Sequence, residues 1–347
     1  MRLPVTRYYG SKRKLVDKIW EALQEQQVQF NSVLDVFGGT GIVSYYMLKK
    51  GKQVFYNDIL SFNCVNAEAL MQSPKGVLTV EEAMSLIWPL DEVDYQHIIS
   101  ENFGDVYFLD RENEQIDIIV QNIQRLAPEK QASAYYILFQ SCMIKRPFNI
   151  FHRKNLNLRT NYQDSKFGNK VTWEQPFEQL FVKFAKELQE FQFEELPDFE
   201  ISNQSALNCN IQADLVYIDT PYFTKRNGNS ITYHNRYHFL EGLLHYEEIP
   251  VLIDNNKVNK EIVLGKNMEF ECSRQYLQDL SSLLEKHRGS TIALSYTTSG
   301  YPSIDELEEL VRRYKPLTHV CYLGKHSFAL NRNNSERQEV LIIGKDN

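Results

Sequence analysis

The sequence predicts an α/β fold: an open, mostly parallel sheet with helices on both faces, interrupted by a mainly helical insertion. Three observations carry this expectation. A short apolar strand runs into a glycine turn at 38, a second such strand runs into an Asp-Thr-Pro-Tyr turn at 219, and a long strand-poor stretch separates them. Parallel strands need crossover connections, and apolar runs alternating with helical patterns supply them.

The first unit occupies residues 32–58. Residues 32–37 form an apolar strand, Gly38-Gly39-Thr40-Gly41 a turn, and residues 42–50 a helix closed by Gly51. Residues 53–57 make a second strand that ends at Asp58. Such a unit puts its turn at the carboxyl edge of the sheet, where open α/β folds bind ligands. From 67 to 195 helical periodicity dominates, with apolar residues at three-and-four spacing in 116–126 and 177–191. Strands return at 215–218, running into Asp219, and at 291–296. Ser303 opens a capping-box helix that ends near Tyr314. Strands near 318–323 and 340–343, joined by a polar turn at 331–335, follow it. The expected division is a catalytic unit of 1–66 plus 196–347 around an insertion at 67–195.

Composition narrows the class. With 347 residues, 43% hydrophobic and 24% charged, the chain is expected to be globular with a sizeable core. Five scattered cysteines without a CxxC pair, and eight histidines without HExxH, predict neither a disulfide framework nor a metal site, and fit a reducing cytoplasm. No apolar run approaches the ~18 residues of a membrane span, so membrane and secreted classes are set aside. Net charge is −7, but the charge is segregated: residues 81–117 hold 11 acids against one base, and 143–170 hold seven Lys/Arg against one acid. A polyanion responds to a local basic face more than to net charge, so 143–170 is a candidate nucleic-acid contact. Two solvated faces of opposite sign are the plainer alternative.

Two motifs carry chemistry. Gly39-Thr40-Gly41 followed by Ser44 lacks the third glycine of a dinucleotide fingerprint. Asp58 lies 20 residues after Gly38, the spacing at which an acid meets ribose hydroxyls. Two carboxylate oxygens can accept from both hydroxyls, and the incomplete glycine pattern suits a nucleoside without phosphates, such as S-adenosylmethionine (AdoMet). The second motif, Asp219-Thr220-Pro221-Tyr222-Phe223, sets a carboxylate beside an aromatic platform. That arrangement holds a planar amine: the acid and a turn carbonyl accept from the amino group while the ring stacks. A proline turn over buried aromatics is the alternative.

In order and content these motifs resemble the Dam-like family of DNA adenine (6-amino) methyltransferases. The family's D-P-P-Y motif stands here as Asp219-Thr220-Pro221-Tyr222, and its F-x-G-x-G loop as Phe37-Gly38-Gly39-Thr40-Gly41. Its aromatic-x-G-x-K motif is matched by Tyr8-Tyr9-Gly10-Ser11-Lys12, and the acid closing the second strand by Asp58, followed by Ile59. The resemblance implies a Rossmann-like, AdoMet-dependent methyltransferase fold. It implies that Tyr8, Lys12, the glycine loop, Asp58 and Ile59 hold AdoMet, and that Asp219 to Tyr222 act on an adenine flipped out of double-stranded DNA. The insertion would then be the target-recognition domain, with Lys145, Arg146, Asn149, Arg153, Lys154 and Arg159 as DNA contacts. A cognate restriction endonuclease is the partner to expect, and no metal or membrane. Thr220 departs from the motif's first proline, and Ser205 stands where many relatives place an acid near the cofactor adenine. The alternatives are a same-fold enzyme acting on RNA adenine or protein glutamine, and a catalytically weak DNA-binding subunit.

Overall fold

The computed structural model describes residues 2–5, 7–8, 10–161, 170–224, 232–265, 269–270, 272–325 and 338–346. Tyr9 and the expected turn at 331–335 lie outside them. The strands are β1 (Ser32–Asp35), β2 (Gln53–Asn57), β3 (Phe199–Ser202), β4 (Leu215–Ile218), β5 (Phe223–Thr224), β6 (Thr291–Thr297), β7 (Gly300–Tyr301), β8 (Leu317–Lys325) and β9 (Gln338–Lys345). Seven of them form one sheet in the order β3-β2-β1-β4-β6-β9-β8, while β5 and β7 pair separately. The first five strands of that order run parallel, and β9 runs antiparallel to both β6 and β8.

The sheet is covered on both faces because its strands alternate. Val33, Leu215 and Tyr217 belong to one buried cluster, and Leu34, Val36, Val216 and Ile218 to the other. Period-two alternation of apolar residues on both faces is what a sandwiched parallel strand requires. The helices Tyr276–Lys286 and Ile304–Tyr314 cover the second face. Ser303 caps the latter in the expected box with Glu306.

Strand order reverses between β1 and β4. From β1 the chain moves outward through β2 to β3, then returns to β4 on the other side. Ligands of open α/β sheets lie outside the carboxyl ends of the strands at this switch point. Here those ends are the glycine turn after β1 and Asp219 after β4, with Asp35 and Tyr217 paired directly across the ladder.

Every regular element described within 67–195 is helical, and the first of them is a helix shared with what precedes it. That helix, Ser61–Met71, runs through the expected boundary at 66/67. It packs against Pro128–Ile144, and the buried residues of both join the same core as Val33 and Tyr56. A hydrophobic face of this size needs a partner, and the helical segment finds it in the catalytic sheet's own helices. After the Asp219 turn, a helix capped by Thr232 spans Tyr233–Leu243.

Candidate active site

The turn after β1 is shaped by what leans on it. The Tyr56 ring lies so close to Gly38 that an added Cβ would come within 2.0 Å of it, and the Tyr56 hydroxyl donates to the Gly39 carbonyl at 2.8 Å. Gly41 holds φ +68 as the N-cap of the helix Ile42–Lys49, a left-handed conformation that favours glycine. Asp58 ties the turn to β2: its Oδ2 accepts from Gly39 N and its Oδ1 from Leu60 N, both at 2.8 Å.

A cleft of about 850 Å³, counted with the space open to solvent, lies over this edge. Tyr8, Lys12, Phe37, Gly38, Gly39, Thr40, Asp58 and Ile59 line it, and so do Asp219 and Pro221. Motifs spread over more than 200 residues thus share one wall. Gly41 and Thr220 stand behind the lining. Thr220 is 2% exposed and its hydroxyl is 2.5 Å from the Tyr276 hydroxyl, pointing into the core. Ser205 is not part of the lining either; its neighbour Ala206 is. The carbonyl of Ser205 accepts from Asn208 and Cys209, so the residue serves a turn.

The wall is acidic. Among the described residues, Asp35, Asp58, Asp219 and Glu269 face the cleft against the single ammonium of Lys12. Burial pushes the Asp35 carboxyl up to about 7 and that of Asp58 up to about 6. Asp35 Oδ2 accepts from Ser44 Oγ at 2.7 Å, while its Oδ1 has no partner among the described residues. Such a surface repels phosphates and suits a ligand carrying positive charge. Beside the backbone bonds from Gly39 and Leu60 and a side-chain bond from Asn63, the Asp58 carboxylate keeps acceptor capacity for a ribose hydroxyl. These residues fit AdoMet, which carries an ammonium, a sulfonium and a ribose.

Tyr222 is turned inward. Its hydroxyl accepts from Lys12 at 2.7 Å and lies 2.8 Å from Asp219 Oδ1, 3.2 Å from Glu339 Oε2 and 3.4 Å from Ser295 Oγ. Its ring meets Tyr296 edge-on at 4.9 Å. Glu339, on β9 and far beyond any motif, is 1% exposed, and burial holds its carboxyl above the usual range. Sequence reasoning missed it, along with Asp35 and Glu269. Asp35 could have been found, since an acid at the end of the first strand abuts the glycine turn.

The basic stretch needs correcting. Lys145 is 1% exposed and pairs with Glu112 at 2.8 Å; Arg159 grips both oxygens of the same carboxylate at 2.8 Å each. Arg146 is fully buried over the Tyr107 ring and donates to the carbonyls of Tyr107 and Arg153. All three are interior groups: Glu112 of the 81–117 segment pairs with Lys145 and Arg159, and nearby carbonyls accept from Arg146. Arg153 is exposed, and so is Lys154, which pairs with Asp105 at 2.9 Å. Beside them Phe148 is 63% exposed with φ +64, and Asn149 follows at φ +60. The loop is anchored by Phe151 N donating to Arg236 O, on the helix Tyr233–Leu243 whose Tyr233 lines the cleft. Two consecutive non-glycine residues in this conformation mark strain of a kind that gathers at functional surfaces.

Among the described residues no group of acids, histidines and cysteines could hold a metal ion, and no helix is long and apolar enough to cross a membrane. A family model for D12 class N6 adenine-specific DNA methyltransferases matches residues 8–281. The chain is 28% identical over 320 residues to Type II methyltransferase M2.HphI of Haemophilus parahaemolyticus, covering 90% of this chain and 88% of that protein. It is 27% identical to Modification methylase StsI of Streptococcus sanguinis, covering 89% of this chain but 46% of that protein. Type II methyltransferase M.CviAII of Paramecium bursaria Chlorella virus 1 aligns at 21% identity over 98% of this chain and 95% of its own length. A mostly parallel seven-stranded sheet, a glycine turn and an Asp219 turn on one cleft, and a family match running through both motifs lead to one conclusion: the chain belongs to the D12 class of N6 adenine-specific DNA methyltransferases.

Proposed function

We propose that the cleft binds AdoMet along β1 and β2 and an adenine flipped from double-stranded DNA at Asp219. The observation that carries this reading is the meeting of Asp58, the glycine turn and Asp219 on one acidic wall. Asp58 would accept from a ribose hydroxyl, Asp35 would face a cationic group of the ligand, and Tyr8, Phe37 and Ile59 would pack against it. AdoMet supplies the electrophilic methyl group. Asp219 and the carbonyl of Thr220 would accept from the 6-amino group, which frees the nitrogen lone pair from the ring. Pro221 holds that turn rigid, and Tyr222 sits beside the base. Positioning, without a covalent intermediate, supplies most of the rate.

The base must leave the helix to reach the sheet edge, at a cost of a few kcal/mol. The helical segment 67–195 would read the target, with Arg153, Lys154 and Asn149 at the DNA and Phe148 available to stack where the adenine departs. Relatives named as a type II methyltransferase and a modification methylase support a modification role, which we read as cytoplasmic and paired with a cognate endonuclease. The test is incubation with tritiated AdoMet and plasmid DNA followed by nucleoside analysis, with Asp219→Ala as control. Label in 6-methyladenine of the wild type alone is expected; label in RNA or in protein glutamine instead would overturn the assignment.

A further inference from the structure

Two carboxylates, Asp219 at the cleft and the buried Glu339 behind it, compete for one ammonium and one hydroxyl proton. Lys12 Nζ is 2.9 Å from Asp219 Oδ1 but 3.6 Å from Glu339 Oε2. The Tyr222 hydroxyl is 2.8 Å from Asp219 Oδ1 and 3.2 Å from Glu339 Oε2, and it has a single proton to give. Both groups therefore favour Asp219. Glu339 is left with long contacts on one oxygen and no partner among the described residues on the other. A buried carboxylate held this poorly is costly and calls for a reason.

The substrate provides one. An amino group that donates to Asp219 competes with Lys12 and Tyr222, whose bonds now occupy Oδ1, and loosens their hold on it. Lys12 cannot be released into a void, because an unpaired buried ammonium is as costly as an unpaired carboxylate. Glu339 lies within reach: closing 3.6 Å to a charge-assisted bond takes a movement of under about 1 Å.

We propose that Glu339 is a positioning residue for methyl transfer, receiving Lys12 and the Tyr222 hydroxyl when the target amino group engages Asp219. The role rests on the catalytic reading of Asp219 given above. It acts through Lys12 and Tyr222 and involves no transfer of a proton or electron. Without the Glu339 charge, Lys12 has Asp219 as its only counter-ion among the described residues and stays as a competitor of the substrate.

The test is a cycle of E339Q, K12M and the double variant in single-turnover methylation of duplex DNA, with DNA affinity and melting temperature measured on each protein. E339Q is expected to slow transfer roughly 10- to 100-fold, the equivalent of one charge-assisted hydrogen bond, with DNA affinity unchanged. In the K12M background it should cost nothing further, since the lysine it receives is gone. E339D, keeping the charge one methylene back, should lose less than E339Q. A wild-type rate for E339Q, losses that multiply in the double variant, or equal losses for E339D and E339Q would each overturn the role. If E339Q does not fold, E339D with K12M runs the same cycle. A wild-type chain that methylates no duplex adenine removes the catalytic reading and this role together; an active wild type with an unaffected E339Q removes only the role.

Discussion

The sheet edge and the basic stretch 143–170 make an instructive pair. At the edge, residues from four separate motifs face a common cleft. In the basic stretch, Lys145 and Arg159 close on Glu112, Lys154 on Asp105 and Lys170 on Glu174. A turn at the end of a strand is positioned by the few residues around it, and the sheet then carries it to the edge. A cation has no such local instruction. It faces solvent or the interior according to what other elements bring to it: Glu112 draws Lys145 and Arg159 inward, backbone carbonyls and the Tyr107 ring hold Arg146, and Lys154 stays exposed beside Asp105.

The largest effect should come from breaking the buried cluster. Glu112→Ala would strand Lys145 and Arg159 in the interior, and removing one member of a buried ion pair costs about 3–5 kcal/mol. Urea unfolding measures it. A loss below about 1 kcal/mol, the range of exposed pairs, would mean that the cluster is solvated and the contrast with the cleft is false.

At the cleft, Asp58→Ala should weaken AdoMet binding by roughly 10- to 100-fold, for one lost hydrogen bond to a charged group, and leave DNA affinity intact. Calorimetry separates the two. The wild type adds a pH test. Asp35 is held at about 7 and Asp58 at about 6, both by burial first; Ser44 and the backbone bonds from Gly39 and Leu60 pull them back, and Asp219 and Glu241 add to the rise. Each is protonated below its value and charged above it. A cationic ligand prefers the charged form, so AdoMet affinity should climb as pH rises through this range and then level off. Affinity independent of pH there would count against an acidic wall.

The exposed remnant of the basic stretch sharpens the comparison further. Replacing Arg153 and Lys154 by Ala should flatten the dependence of DNA affinity on log salt by about one unit per lost phosphate contact. An unchanged slope would leave the whole stretch to folding. The smallest effect is expected at Thr220. Thr220→Val keeps the shape but removes the hydroxyl paired with Tyr276, costing about 1–2 kcal/mol of stability for an orphaned buried partner. The single-turnover rate should hold, because that side chain faces away from the cleft. A collapse of the rate at normal stability would put the hydroxyl into the chemistry.

Much of the fold was legible. The β1 unit, β4 with its Asp219 turn and the Ser303 cap came from periodicity, glycine placement and capping chemistry, all of which act over a few residues. β3 was missed, since Phe199–Ser202 is short and only partly buried at the sheet's edge. Ser205 was placed at the cofactor on the strength of a departure from the family pattern, whereas the neighbouring Ala206 lines the cleft.

By itself, then, the sequence determined where strands end in turns, which turns carry carboxylates, and the order that ties the chain to its family. Those features depend on backbone preferences and spacing, which the local chain contains. Tertiary structure alone decided which charges are spent in the interior, how the helical segment shares the catalytic core, and that Glu339 comes to Tyr222 from 117 residues away. A charged group's energy is set by its burial and its partners. Both are supplied by elements remote in sequence, so no pattern around Lys145 or Glu339 could announce them.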